Sequence, residues 1–209
     1  DISKQNPLKV FVFDGGGPVR SWDGGYTFPE DSIYPVTNLI PIALADFDDD
    51  VLFGIDEDHR LAKNGGLVDT SLIGFDQYSK FLYDINQFHV YRVNWTYGGY
   101  SLNVSNNKGD AFTWTKTYQS QTPIYISIDS TQSGLVYLAD GKRIYKSYDN
   151  GYTFSLYKTL PGRLIGIYKK PNSEILYAAS KYKIYEVRSD TTIIIKSLPI
   201  PKDVFSWFP

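Results

Sequence analysis

The chain has 209 residues, 42% of them hydrophobic, with a formal net charge of −2, no cysteine and no methionine. That charge balance argues against a nucleic-acid footprint and a polybasic membrane surface, and the missing cysteines exclude disulfides and thiolate metal sites. No run approaches the roughly 18 apolar residues that a membrane-spanning helix needs.

Strand signals fill the chain and helix signals are almost absent. Residues 8–14 (LKVFVFD) and 18–21 form two β-rich runs joined by the turn residues Asp14, Gly15, Gly16 and Gly17. Residues 38–46 (NLIPIALAD) are apolar enough for a strand covered on both faces. After them come 51–56, the Asn64-Gly65-Gly66 turn, and strands at 79–84, 88–94, 99–105 and 111–117. A further set follows at 124–129, 135–139, 143–147 and 152–158, and a last one at 164–169, 175–179, 183–188 and 192–197.

This series is a repeat. Residues 9–28 and 135–154 align without a gap, with nine of twenty positions identical, and turn segments start at Ser21, Ser105 and Ser147. The spacings of 84 and 42 are two periods and one period of a 42-residue unit. Four strands in that length make one blade of a β-propeller. The expected fold is all-β: a single five-bladed propeller domain with blades near 8–37, 38–77, 78–122, 123–162 and 163–202. Residues 203–209 are expected to complete the first blade and hide its open edge.

The repeated turn reads Ser-x-Asp-x-Gly-x-Thr-Phe at Ser21, Asp23, Gly25, Thr27, Phe28 and at Ser147, Asp149, Gly151, Thr153, Phe154. It resembles the Asp-box, or bacterial neuraminidase repeat. A looser copy holds Ser105, Asn107, Gly109 and Phe112, with Ala111 in place of Thr. The expected mechanics are local: Asp accepts backbone N–H groups, Gly takes φ > 0, Ser adds a second bond, and the ring tucks between blades. The units without the box, at Asn64-Gly65-Gly66 and Ser189-Asp190-Thr191, are expected to have shorter hairpins. In the sialidases, sortilin-type receptors and photosystem assembly factors that share this resemblance, the turn is structural and lies away from the ligand, which implies the same here. The sialidase Arg-Ile-Pro signature is missing, the nearest text being Pro18-Val19-Arg20.

Function is open between two classes. A five-bladed glycosidase would use carboxylates at the axial mouth, where Asp46, Asp84 and Asp129 end three first strands; a turn role suits the same residues. The expected function is the other class, a non-enzymatic binding or structural propeller, secreted or surface-exposed, that recognises a protein or a glycan, as in a surface or virion assembly; the glycosidase is the runner-up. Its expected contact face carries the second-to-third turns: Trp95, Tyr97 and Tyr100, with Lys142, Arg143 and Tyr182. Two sequons, at Asn94 and Asn103, agree with export. So does the absence of oxidisable sulfur. No signal peptide is visible, and with Asp1 in place of Met at the start, removal of a leader or of a longer parent is expected. The isolated histidines, His59 and His89, lack metal-ligand spacing, and the acidic run from Asp46 to Asp50 lacks the Gly and distal Glu of a Ca²⁺ loop. No metal, cofactor, nucleic acid or membrane insertion is expected.

Overall fold

A computed structural model of the chain describes residues 6–14, 17–29, 40–44, 52–55, 61–63, 66–67, 81–84, 88–96, 98–129 and 131–197. Every regular element among them is a strand. Strands β1 (Val10–Asp14) and β2 (Gly17–Ser21) pair as a hairpin. Four sheets follow, each of four antiparallel strands in sequence order. The first holds β3 (Ile40–Leu44), β4 (Leu52–Ile55), β5 (Leu61–Lys63) and β6 (Gly66–Leu67). The second holds β7 (Phe81–Tyr83), β8 (Val90–Thr96), β9 (Gly99–Ser105) and β10 (Trp114–Ser120). The third holds β11 (Ile124–Ile128), β12 (Val136–Asp140), β13 (Arg143–Ser147) and β14 (Ser155–Thr159). The fourth holds β15 (Leu164–Lys169), β16 (Leu176–Ser180), β17 (Lys183–Val187) and β18 (Thr192–Ser197). The expected pairing of 203–209 with the first blade lies outside the described residues.

The sheets stack face to face, and β12 shows how one strand serves two cores. Successive side chains of a strand point to opposite faces. Val136 and Leu138 therefore join Tyr91, Leu102, Val104 and Ile124 in the core shared with the second sheet. Tyr137 and Ala139 join Leu164, Leu176 and Tyr185 in the core shared with the fourth. A strand covered on both sides has no polar face to keep, so VYLA reads as a continuous apolar run. The first and second sheets meet through Phe53 and Phe81, whose stacked rings lie 4.6 Å apart, and through Lys63 Nζ, 2.5 Å from Asp110 Oδ1.

The third-to-fourth turns separate into two kinds. Between β17 and β18 the chain reverses within residues 188–191, closed by Arg188 N donating to Thr191 O at 2.8 Å. Between β13 and β14, and between β9 and β10, the longer serine turn intervenes.

Candidate functional site

The serine turn is a closed hydrogen-bond circuit. Ser147 Oγ accepts Gly151 N–H at 2.8 Å and Asp149 N–H at 3.2 Å, and donates to Asp149 Oδ1 at 2.6 Å. Asp149 then accepts Thr153 N–H at 2.9 Å on Oδ1 and the Thr153 hydroxyl at 2.6 Å on Oδ2. The turn at Ser21 repeats these bonds through Asp23, Gly25 and Thr27. The hub is the buried serine hydroxyl, which takes two backbone donors; the aspartate closes the outer loop. The Thr27 and Ser21 bonds hold the Asp23 carboxyl at about 2, well below the usual carboxylate range. Burial pushes Asp149 up, but its bonds from Ser147 and Thr153 outweigh that and hold it low. Asn150 and Gly151 take φ of +60° and +80° to make the reversal. Phe154 packs edge-on against Tyr118 of the second sheet, so the ring does bridge two sheets.

The turn at Ser105 has a different register from the one expected. Ser105 Oγ still accepts Asn107 N–H and Gly109 N–H, at 3.2 and 2.9 Å. Phe112, however, has a φ of +61° and is 90% exposed. Trp114 fills the aromatic place instead: it is buried, its Nε1 donates to Gly109 O at 3.2 Å, and Thr113 bonds Ser105 Oγ through its hydroxyl. Two residues are inserted before the Thr-aromatic pair: three stand between Gly109 and Thr113 where one stands between Gly151 and Thr153.

The described carboxylates at the ends of the first strands are committed to their own turns. Asp84 Oδ1 accepts the N–H groups of Phe88 and His89 at 2.7 and 3.1 Å, and Oδ2 lies 3.0 Å from His89 Nδ1. Asp129 Oδ1 accepts Thr131 N–H and hydroxyl at 2.8 and 2.6 Å, and Oδ2 lies 2.6 Å from Lys169 Nζ. Burial raises the Asp129 carboxyl, but the bonds from Lys169 and Thr131 win and hold it below its ordinary value. Asp46 lies outside the described residues.

Three successive hairpins carry the expected contact residues at one end of their sheets. Trp95 is 47% exposed and sits opposite the half-buried Tyr100 across β8 and β9. Lys142 and Arg143 are exposed on the β12–β13 turn, and Tyr182 is half-buried with Lys181 Nζ 5.1 Å from its ring centre. Tyr97 lies outside the described residues. The opposite end, where the serine turns are, carries more exposed rings: Trp22, Tyr26, Phe88, Phe112 and Tyr148. The sequons are not surface sites. Asn94 and Asn103 are 4% and 1% exposed, the Asn103 amide donates to Asn94 Oδ1, and Ser101 donates to the same oxygen at 2.7 Å.

Sequence reasoning passed over a cleft of about 190 Å³ between the third and fourth sheets, at the serine-turn end. Asp129, Lys169, Tyr137, Tyr157, Lys146 and Glu174 line it. Lys146 Nζ lies 5.4, 4.5 and 5.4 Å from the ring centres of Tyr137, Tyr148 and Tyr157. Burial would lower Lys146, yet the Tyr148 and Tyr137 hydroxyls beside it outweigh that and hold it above its ordinary value. Two signals were present in the sequence. Tyr137 and Lys146 are equidistant from the Asp140–Arg143 turn, so hairpin register sets them opposite each other. The fourth sheet also ends its first strand with Lys169-Lys170 where the two sheets before it have Asp84 and Asp129, a change of sign in a repeated position.

Comparison with known proteins adds the architecture. An ancestral GH74 enzyme superposes on 93% of this chain with a TM-score of 0.64 at 16% identity, the match spanning 30% of that enzyme's length. A chain of a nidogen/laminin complex matches over 93% of this chain and 76% of its own, with a TM-score of 0.54 at 14% identity. Oligogalacturonate lyase, solved with manganese, matches over 96% and 65%, with a TM-score of 0.54 at 12% identity. The fold is a β-propeller. No family model and no curated protein matches the sequence. At these identities the likeness concerns the architecture of the sheets.

Proposed function

We propose that this chain is a non-enzymatic binding propeller, displayed outside the cell or on the surface of an assembly, that recognises a protein or a glycan. In this reading the ring has five blades and the serine turns are Asp-boxes, rigid fixtures that hold ligand-facing side chains. The observation that carries the reading is the fate of Asp84 and Asp129. Both are buried, and both have their oxygens taken by turn amides, a histidine or a buried lysine. A glycosidase needs one carboxyl free to protonate the leaving oxygen and another to act as base or nucleophile. Carboxylates that serve as turn caps supply neither, whereas exposed rings on rigid turns supply amphipathic contact area at low entropic cost.

The test is a glycan array and a partner pull-down with the native chain, alongside Trp95→Ala for one end of the ring and Tyr148→Ala for the other. Binding that falls in one variant at unchanged melting temperature supports the reading and identifies the end. Hydrolysis of a polysaccharide panel that disappears in Asp84→Asn would overturn it in favour of the enzyme.

A further inference from the structure

We propose that the cleft between the third and fourth sheets binds a single neutral sugar residue, stacked on Tyr157 with its hydroxyls bonded to Lys146 and Glu174. This rests on the glycan half of the reading above and names a place for it that is neither the axial mouth nor the Trp95 hairpin.

The argument begins with charge. The cleft lining carries two carboxylates, Asp129 and Glu174, and two ammonium groups, Lys146 and Lys169, so its formal charge is zero. An ammonium has three donors, and Lys169 uses its own on Asp129, Lys170 O and Ser173 O. That cation is buried, neutralised and closed to a ligand. Lys146 differs: its ammonium rests against three tyrosine rings and faces the cleft. With its cation already seated there, the aromatic cage is filled from within, and a cationic ligand has no place in it. What remains is the third donor of Lys146, beyond those it directs at the Tyr148 and Tyr137 hydroxyls, an acceptor at Glu174, and the cleft-facing part of the half-buried Tyr157 ring. That ring has the Lys146 and Lys158 ammonium groups 5.4 and 5.9 Å from its centre and is braced edge-on by Tyr137 at 5.7 Å.

Those features together select one chemistry. A flat apolar face beside a matched donor and acceptor suits a ring that is apolar on its C–H face and bears hydroxyls at its rim. Zero net charge argues for a neutral ring over a uronic or sialic acid, since a bound carboxylate would face Glu174 as well as Lys146. The volume limits the occupant to one ring, well below the roughly 300–1,000 Å³ of clefts that take drug-sized ligands.

The experiment is saturation-transfer-difference NMR on the full chain, which detects the millimolar affinities expected of one sugar ring. The probes are D-glucose, D-galactose, N-acetyl-D-glucosamine, D-galacturonic acid and N-acetylneuraminic acid. At least one neutral sugar should show transfer. That signal should vanish in Ser189→Trp, which fills the cleft from an exposed lining position. It should fall about tenfold or more in Tyr157→Ala, with a smaller loss in Glu174→Gln. Because Tyr157 also supports Tyr137, Ser189→Trp keeps the test valid if Tyr157→Ala folds poorly. Transfer from the acidic sugars alone, neutral binding that survives Ser189→Trp, or no neutral binding at all overturns the cleft assignment. The wider reading fails separately, when the native chain captures nothing on the array or in the pull-down.

Discussion

Asp129 and Lys169 meet 2.6 Å apart across the seam between the third and fourth sheets, with side chains only 4% and 3% exposed. The contact joins the start of one sheet's first turn to the end of the next sheet's first strand, and Lys169 N–H adds a 2.8 Å bond to Ser127 Oγ beside it. Such a pair contributes little net stability when whole, because desolvation offsets its attraction; its loss is what matters.

Lys169→Met should therefore destabilise the chain by about 3–5 kcal/mol, because it leaves a buried carboxylate without its cation. Adding Asp129→Asn should recover much of that loss, because it removes the stranded charge and keeps an acceptor for the Thr131 N–H and hydroxyl. Chemical denaturation of both variants provides the check, and a double variant no more stable than the single one would count against the pair.

Acid should weaken the same seam. The folded Asp129 carboxyl lies below its ordinary value. Its contribution is therefore fully present above the unfolded carboxylate range near pH 4 and is lost as pH falls through the lowered folded value. Asp23, at about 2, and Asp149 follow the same sign. A stability–pH profile should be flat from pH 7 to about 5 and fall below about 4, with a smaller fall in Lys169→Met/Asp129→Asn.

Ser147→Ala should cost more than Asp149→Asn. The serine hydroxyl satisfies two backbone N–H groups in a buried position, and an unsatisfied buried donor costs about 1–3 kcal/mol. The asparagine keeps one acceptor oxygen for Thr153 N–H, so its loss should stay near 1 kcal/mol. Thermal melts of the two variants rank the serine and the aspartate directly.

Gly109→Ala and Gly141→Ala test two glycines with positive φ in different surroundings. A Cβ on Gly109 would sit 2.6 Å from the Phe53 ring and 3.3 Å from Trp114, whereas one on Gly141 meets nothing within 4 Å. The second should cost about 1 kcal/mol for its backbone angle alone, and the first should exceed it by at least about 1–2 kcal/mol through displaced rings.

Mass spectrometry of chain secreted from a glycosylating host should find Asn94 and Asn103 unmodified in folded material. Their amides are enclosed and bonded to each other. A folded, monomeric chain with glycan on either would contradict that enclosure.

The four-stranded units were legible because strand-length runs and turn residues repeat every 42 residues. The serine turns were legible as chemistry, down to the aspartate that accepts from Thr153. What escaped was burial, register inside a turn, and contact between units. The Ser105 turn hides an insertion that shifts its aromatic from Phe112 to Trp114, revealed by the exposure of the first ring and the burial of the second. The sequons read as surface because the three-residue pattern carries no burial. The Lys146 cleft needs the third and fourth sheets brought together, although the sign change at Lys169 pointed to that seam.

Every side-chain hydrogen bond within the turn from Ser147 to Thr153 spans at most four residues of chain. A loop that short closes in well under a microsecond, and a hairpin in roughly 1–10 μs. The β13–β14 hairpin thus carries its own nucleus, available before either neighbouring sheet exists. Long-range closure between sheets, slow in most all-β proteins, begins here from units whose hairpins are already in register.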